Sequence, residues 1–235
     1  MGLLVFGGCL HTNRPVERMA ANQTDAPRMN HGLLSAQKIV VQVDWTLGES
    51  PLDSSLDALH RWLEKESRLA PEAIVIRRGM EVAHPRGNDP RSLADAVLDR
   101  ALPPDDAYFI YVLFSDRFDR YRGITWTTQD LDERVLFPVV VMLVESIKHD
   151  SIFPLSRRKI EPAVLVHEFG HVAGLVTSGR RVHDGHCPNP KCRMYHGPDA
   201  RAIFANLFPV LCQWRLPIEF CDECERELAT GHAPD

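Results

Sequence analysis

No stretch of the 235-residue chain approaches the roughly 18 consecutive apolar residues that a membrane-spanning helix needs, so the sequence excludes such a span. Positive charge is not in excess. The 27 Lys and Arg stand against 32 Asp and Glu, a net charge of −5, which leaves no electrostatic footprint for nucleic acid or anionic lipid. Six cysteines are too few for a scaffold built on disulfides. Neither an internal repeat nor a low-complexity block is present, which excludes a solenoid and a disordered tract as the main architecture. The apolar run at the N-terminus, MGLLVFGGC, has no basic residue ahead of it and is too short for an ordinary secretory signal.

What remains is an ordinary globular balance, 44% hydrophobic and 25% charged, in a chain long enough for one domain with a sizeable core. Order is expected to begin near Lys38. KIVVQVDW, EAIVIRRGM and the aromatic run DAYFIYVLFSD read as strands, the last buried on both faces. SSLDALHRWLEKESRL, with a Ser N-cap, and DPRSLADAVLDRAL, opening at Asp89-Pro90, read as the helices between them. YRGITW reads as a short edge strand, and VLFPVVVMLVES as a further strand with Pro138 at its start. Right-handed crossovers place the first three strands parallel in one sheet with helices packed on it. PAVLVHEFGHVAGLV reads as a helix with Pro162 in its first turn, residues 177–198 as loop, and ARAIFANLFPVLCQW and PIEFCDECERELAT as later helical pieces. The expected fold class is α+β (mixed α/β): a twisted mixed β-sheet with packed helices, an active-site helix and a small C-terminal subdomain from about residue 177.

The N-terminal residues leading into Cys9 resemble a bacterial lipobox, with Phe6 where Leu is usual. On that reading the true start lies upstream, Cys9 carries a lipid, residues 10–36 are a flexible tether, and residues 37–235 form the domain. The protein would be exported and membrane-tethered. A cytoplasmic protein with an ordinary disordered N-terminus is the alternative.

The chemistry sits in HEFGHVAGLVTSGRRVHDGHCPNPKCRMY, residues 167–195. His167 and His171 are four apart on a helix, so both imidazoles lie on one face and reach one metal. Glu168 lies beside the open metal position, where it can take a proton from water. This is the H-E-x-x-H arrangement of zinc peptidases. Gly174 can end the helix and turn the chain back toward the metal. Cys187 and Cys192, and Cys221 and Cys224, are two spaced pairs that suit either a second, structural zinc or short disulfides. His11, His31, His60, His84, His149 and His232 have no such context.

HEFGHVAG followed by HCPNPKCRMY resembles the metzincin zinc peptidases, in particular their archaemetzincin-like branch. Those carry HExxHxxG, a third His directly before a Cys, then Cys-x4-Cys-x-Met and a later Cys-x2-Cys. The resemblance spans about residues 162–224. It implies a third zinc ligand at His186, which keeps its place before Cys187, with His183 as the alternative and Asp184 as a carboxylate substitute. It departs from the pattern at Thr177, which stands where the third ligand is expected, nine residues ahead of His186. The resemblance further implies that Met194 is the Met-turn residue, an apolar floor under the histidines, and that the four cysteines hold a structural zinc. Tyr195 is one residue after that Met rather than two, so no zinc role is transferred to it. The gap of 26 residues between Met194 and Cys221 is longer than the family's usual one.

The expected function is a zinc-dependent peptidase, endo- or amino-, acting as a monomer on a peptide or protein substrate. His167, His171 and His186 would hold Zn2+, and Glu168 would be the general base. Substrate would lie extended along an edge strand, YRGITW. Two other readings stay open: a zinc-stabilised scaffold that does not cleave, and a zinc hydrolase acting on a non-peptide amide.

Overall fold

The computed structural model describes residues 30–83, 90–117, 121–126, 135–151, 156–175, 186–189, 191–195 and 219–230. Cys9, His183, Asp184, Thr177, Cys212 and the expected helical piece ARAIFANLFPVLCQW lie outside them. The elements in chain order are α1 (Asn30–Ser35), β1 (Ile39–Thr46), α2 (Asp53–Ser67), β2 (Ile74–Val82), α3 (Pro90–Leu98), β3 (Tyr108–Ser115), β4 (Gly123–Trp126), β5 (Val139–Leu143), α4 (Val144–His149), α5 (Arg157–Val172) and α6 (Asp222–Thr230). Among the described residues no helix is long and apolar enough to cross a membrane.

The five strands form one mixed sheet in the order β2-β1-β3-β5-β4. β1 pairs in parallel with both β2 and β3, and β3 pairs in parallel with β5. β4 alone runs antiparallel, along β5. The continuous apolar runs of β1, β3 and β5 follow from burial on both faces. On one face Val41, Val43 and Val112 meet Leu59 and Leu63 of α2 and Leu165 and Phe169 of α5. On the other, Val40, Tyr111 and Val139 meet Ala94 and Val97 of α3. Cutting the second face from water is why Asp44 there must be fully satisfied. It accepts from the Tyr111 hydroxyl at 2.6 Å, the Gln42 amide at 3.2 Å and the Met80 N–H at 3.0 Å.

Four expectations need correction. The end of the expected tether is structured: Asn30–Ser35 is helical, and Leu33 is buried in the main core. Ser54 does not cap α2, whose N-cap is Leu52. A carboxylate from another helix does that work instead. Glu161 of α5 accepts from the Leu52 N–H and the Ser55 hydroxyl, both at 2.8 Å, and is itself paired to Arg157 at 2.5 Å. The strand expected through Ser146 stops at Leu143, and Val144–His149 is helix α4. Pro162 is not in the first helical turn but inside α5, which begins five residues earlier at Arg157. There it has no N–H to give the Arg158 carbonyl, a local loss overridden by the packing of α5 on α2 and the sheet.

A candidate zinc centre on helix α5

Helix α5 carries the centre because two helical periods coincide on it. Residues 165, 166, 169 and 172 are buried toward the core, while His167 and His171 stack one turn apart on a half-buried face. The helix ends where the centre needs the chain to turn. Gly174 takes a left-handed φ of 82°. Its N–H donates to the His171 carbonyl and that of Leu175 to the Gly170 carbonyl, both at 2.9 Å. This is a Schellman closure, and it needs a glycine at that position.

His186 completes a triangle with His167 and His171. Ring centroids are 5.0 Å apart for His167 and His171, 5.1 Å for His167 and His186, and 5.0 Å for His171 and His186. One nitrogen of each ring lies within 4.8 Å of the others. The His167 Nδ1–H donates to the Arg193 carbonyl at 2.7 Å. A carbonyl only accepts, so this bond fixes the tautomer and leaves Nε2 as a lone pair. Burial, and then the neighbouring His167 and His186 imidazoles, hold the His171 imidazole well below the usual range, in the neutral form that binds metal. Three imidazoles converging at this spacing fit a divalent zinc-type ion.

Glu168 leaves that face and runs toward the edge strand. It is buried, and its Oε2 accepts from the Thr125 hydroxyl of β4 at 2.7 Å. Burial pushes its carboxyl up to about 7, with the Thr125 hydrogen bond pulling the other way. Gly123, two residues before Thr125 on β4, leaves room for it: a Cβ there would stand 2.5 Å from Glu168 Oε1. Neither Thr125 nor Gly123 was evident in the sequence. The one available signal was a glycine inside an otherwise β-branched and aromatic strand.

Met194 is fully buried beneath the helix. It lies against Gly170, where an added Cβ would meet its Sδ at 2.4 Å. Gly170→Ala would ordinarily gain about 1 kcal/mol of helix propensity. Here the overpacking should exceed that gain, for a net loss of about 1–2 kcal/mol, because the Met194 side chain would have to shift within a fully buried site. Urea denaturation of the two proteins reads this directly, and a variant as stable as the wild type would show that the contact is slack.

The cysteines meet one turn further along. Cys187 and Cys192 bracket a tight turn, and the Cys187 N–H donates to the Met194 carbonyl at 2.7 Å. Cys221 and Cys224 come from the start of α6, which Phe220, Cys224 and Leu228 anchor in the main core. Phe220 reaches Trp62 of α2, which also contacts Phe169 of α5. All four Sγ atoms lie within 4.8 Å of one another. Cys187 and Cys221 are 3.7 Å apart, as are Cys192 and Cys224. Those two distances run between the spaced pairs. The separation also matches the edge of a tetrahedron with metal–sulfur bonds of about 2.3 Å, which is about 3.8 Å. A disulfide would need about 2.05 Å. The Cys224 thiol, then the backbone N–H groups of Cys221 and Met194, hold the Cys192 thiol down to about 5, so one ligand is readily a thiolate. Burial pushes Cys187 up to about 12 before any cation compensates it.

The structure thus brings together His167, His171, His186, Glu168 and Met194 as one site, and the four cysteines as a second cluster beside it. Arg193 ties the two, since its carbonyl orients His167 while its neighbour Cys192 belongs to the cluster.

No family model matches the sequence, and no curated protein matches it. Among solved structures the chain is similar to an archaemetzincin from Methanopyrus kandleri, with 16% sequence identity and a TM-score of 0.48, over 83% of this chain and 95% of that one.

Proposed function

We propose that the chain is a zinc-dependent peptidase. The observation that carries this reading is the pairing of two features. Three imidazoles converge on one point, and a buried carboxylate stands next to them in sequence with no cation paired to it among the described residues. A purely structural metal site has no use for such a carboxylate, and leaving one buried costs stability.

His167, His171 and His186 would hold the ion, with Met194 as the apolar floor. Zinc held there would supply Lewis-acid chemistry, lowering the pKa of a water and polarising the scissile carbonyl. Glu168 accepts a proton from the attacking water and passes it to the amine as the C–N bond breaks. Thr125 keeps that carboxylate beside the helix while it does so. Cys187, Cys192, Cys221 and Cys224 would hold a second, structural ion. Substrate would lie extended against β4, whose outer edge has no paired strand among the described residues.

The test is hydrolysis of a fluorescence-quenched peptide library by zinc-loaded protein, with His171→Ala as the control. Turnover should be present in the wild type and lost in His171→Ala. A wild type that carries zinc at the histidines and cleaves no peptide would end the peptidase reading and leave a zinc-stabilised scaffold or a hydrolase of non-peptide amides.

A further inference from the structure

Two neighbouring sets of bonds meet on β4. The Leu143 N–H donates to the Arg122 carbonyl at 2.8 Å, so Arg122 and Leu143 are a hydrogen-bonded pair across β4 and β5. Register pairs Gly123 with Met142, Ile124 with Val141, Thr125 with Val140 and Trp126 with Val139. Hydrogen-bonded and non-hydrogen-bonded pairs alternate in an antiparallel ladder. Ile124 and Trp126 therefore bond inward to β5, and the backbone N–H and C=O of Gly123 and Thr125 face the outer edge. Side chains alternate too. Ile124 and Trp126 pack on the far face of the sheet, so positions 123 and 125 point at α5. These are the two positions that touch Glu168.

The geometry points to Thr125 as a positioning residue that couples a peptide strand added to β4 with the carboxylate of Glu168. Its backbone is what an extended peptide would pair with, and its hydroxyl is what holds Glu168. The hydroxyl has two acceptors within reach: Glu168 Oε2 at 2.7 Å and the Glu168 carbonyl oxygen at 3.1 Å. A peptide that pairs with the Thr125 N–H and C=O stiffens the strand carrying that hydroxyl. Bound substrate would then steady the base, whereas a substrate too short to reach β4 would not.

This inference rests on the peptidase reading, and the experiment separates the two. Zinc-loaded wild type, Thr125→Val and Thr125→Ser are crystallised and assayed on a quenched decapeptide and on aminoacyl-coumarin amides too short to span β4. Thr125→Val keeps the shape and removes the hydroxyl; Thr125→Ser keeps the hydroxyl. We expect unchanged zinc content, a Glu168 carboxylate displaced from β4 in Thr125→Val only, and a decapeptide kcat about 10–100-fold lower with KM nearly unchanged, as for one lost hydrogen bond to a charged group. The short amides should lose much less, and Thr125→Ser should return decapeptide kcat to within about threefold, since the same hydrogen bond is restored. Glu168 held in place in Thr125→Val with unaltered kcat, or equal losses on long and short substrates, would overturn the coupling. No cleavage of either substrate by the zinc-loaded wild type would instead show that the peptidase reading itself had failed.

Discussion

Glu168→Gln should lower kcat about 10²–10⁴-fold, the range for loss of a general base, and leave zinc bound. The metal donors do not depend on this side chain. His167 is oriented by the Arg193 carbonyl, His171 by the closure of α5 at Gly174, and His186 by its place before buried Cys187. The amide is nearly the same size, so it can occupy the pocket left by Gly123. It can still bond the Thr125 hydroxyl, which now need not face a charge. Burial disfavours the ionised carboxylate and raises its pKa to about 7. A group whose raised pKa disfavours its charged form loses stability as pH rises from its unfolded value through the folded one. The metal-free variant should therefore melt no lower than the metal-free wild type at neutral pH. Kinetics, elemental analysis and a thermal melt on the two proteins check all three points. A variant that turns over within tenfold of the wild type would remove Glu168 from the mechanism.

The second large effect is expected at the cysteine cluster. If the four cysteines hold an ion as proposed, Cys224→Ser should remove one zinc per chain and lower Tm by about 10–20 °C, which corresponds to a few kcal/mol in a domain of this size. The turn at 187–195 and the start of α6 are joined by the four sulfurs and by the Arg193 N–H, which donates to the Glu219 carbonyl at 2.9 Å. Loss of that ion should loosen the start of α6 and, with it, the packing of Phe220 and Leu228 in the core. The damage should reach the histidines as well. Cys187 follows His186 directly, and Cys192 precedes the residue whose carbonyl orients His167. Activity should therefore fall along with stability, although Cys224 touches none of the three imidazoles. Intact mass under non-reducing conditions gives an independent reading. Two disulfides and one zinc in the wild type would replace the four-cysteine ion and make export the better account of these residues.

The parts of this site that lie close together in the chain were legible as sequence. The i, i+4 spacing of His167 and His171 places them on one face of any helix, whatever surrounds it. Gly174 marks a helix end because a left-handed closure excludes most other residues. His186 could be preferred over His183 only by its neighbour Cys187; His186 lies with the other two imidazoles, and His183 lies outside the described residues. The parallel order of β1, β2 and β3 followed from their apolar runs and the helices between them. Other features stayed hidden for a common reason. Pro162 looks like a first-turn residue, and only the tertiary packing of α5 carries the helix back to Arg157. Ser54 looks like a cap, but Glu161, more than 100 residues away, takes that role.

The sequence by itself determined which residues could do the chemistry: a helix with two imidazoles and a carboxylate, a glycine stop, a third histidine and four thiols. Local geometry settles these, since a helix repeats every 3.6 residues and only glycine enters left-handed backbone freely. Tertiary structure decided how they act. It set Thr125 and Gly123 against Glu168, Met194 against Gly170 and the two cysteine pairs against each other. Each of these contacts joins residues 24 to 45 positions apart in the chain. Their partners are chosen by where strands and helices pack, and no local propensity encodes that choice.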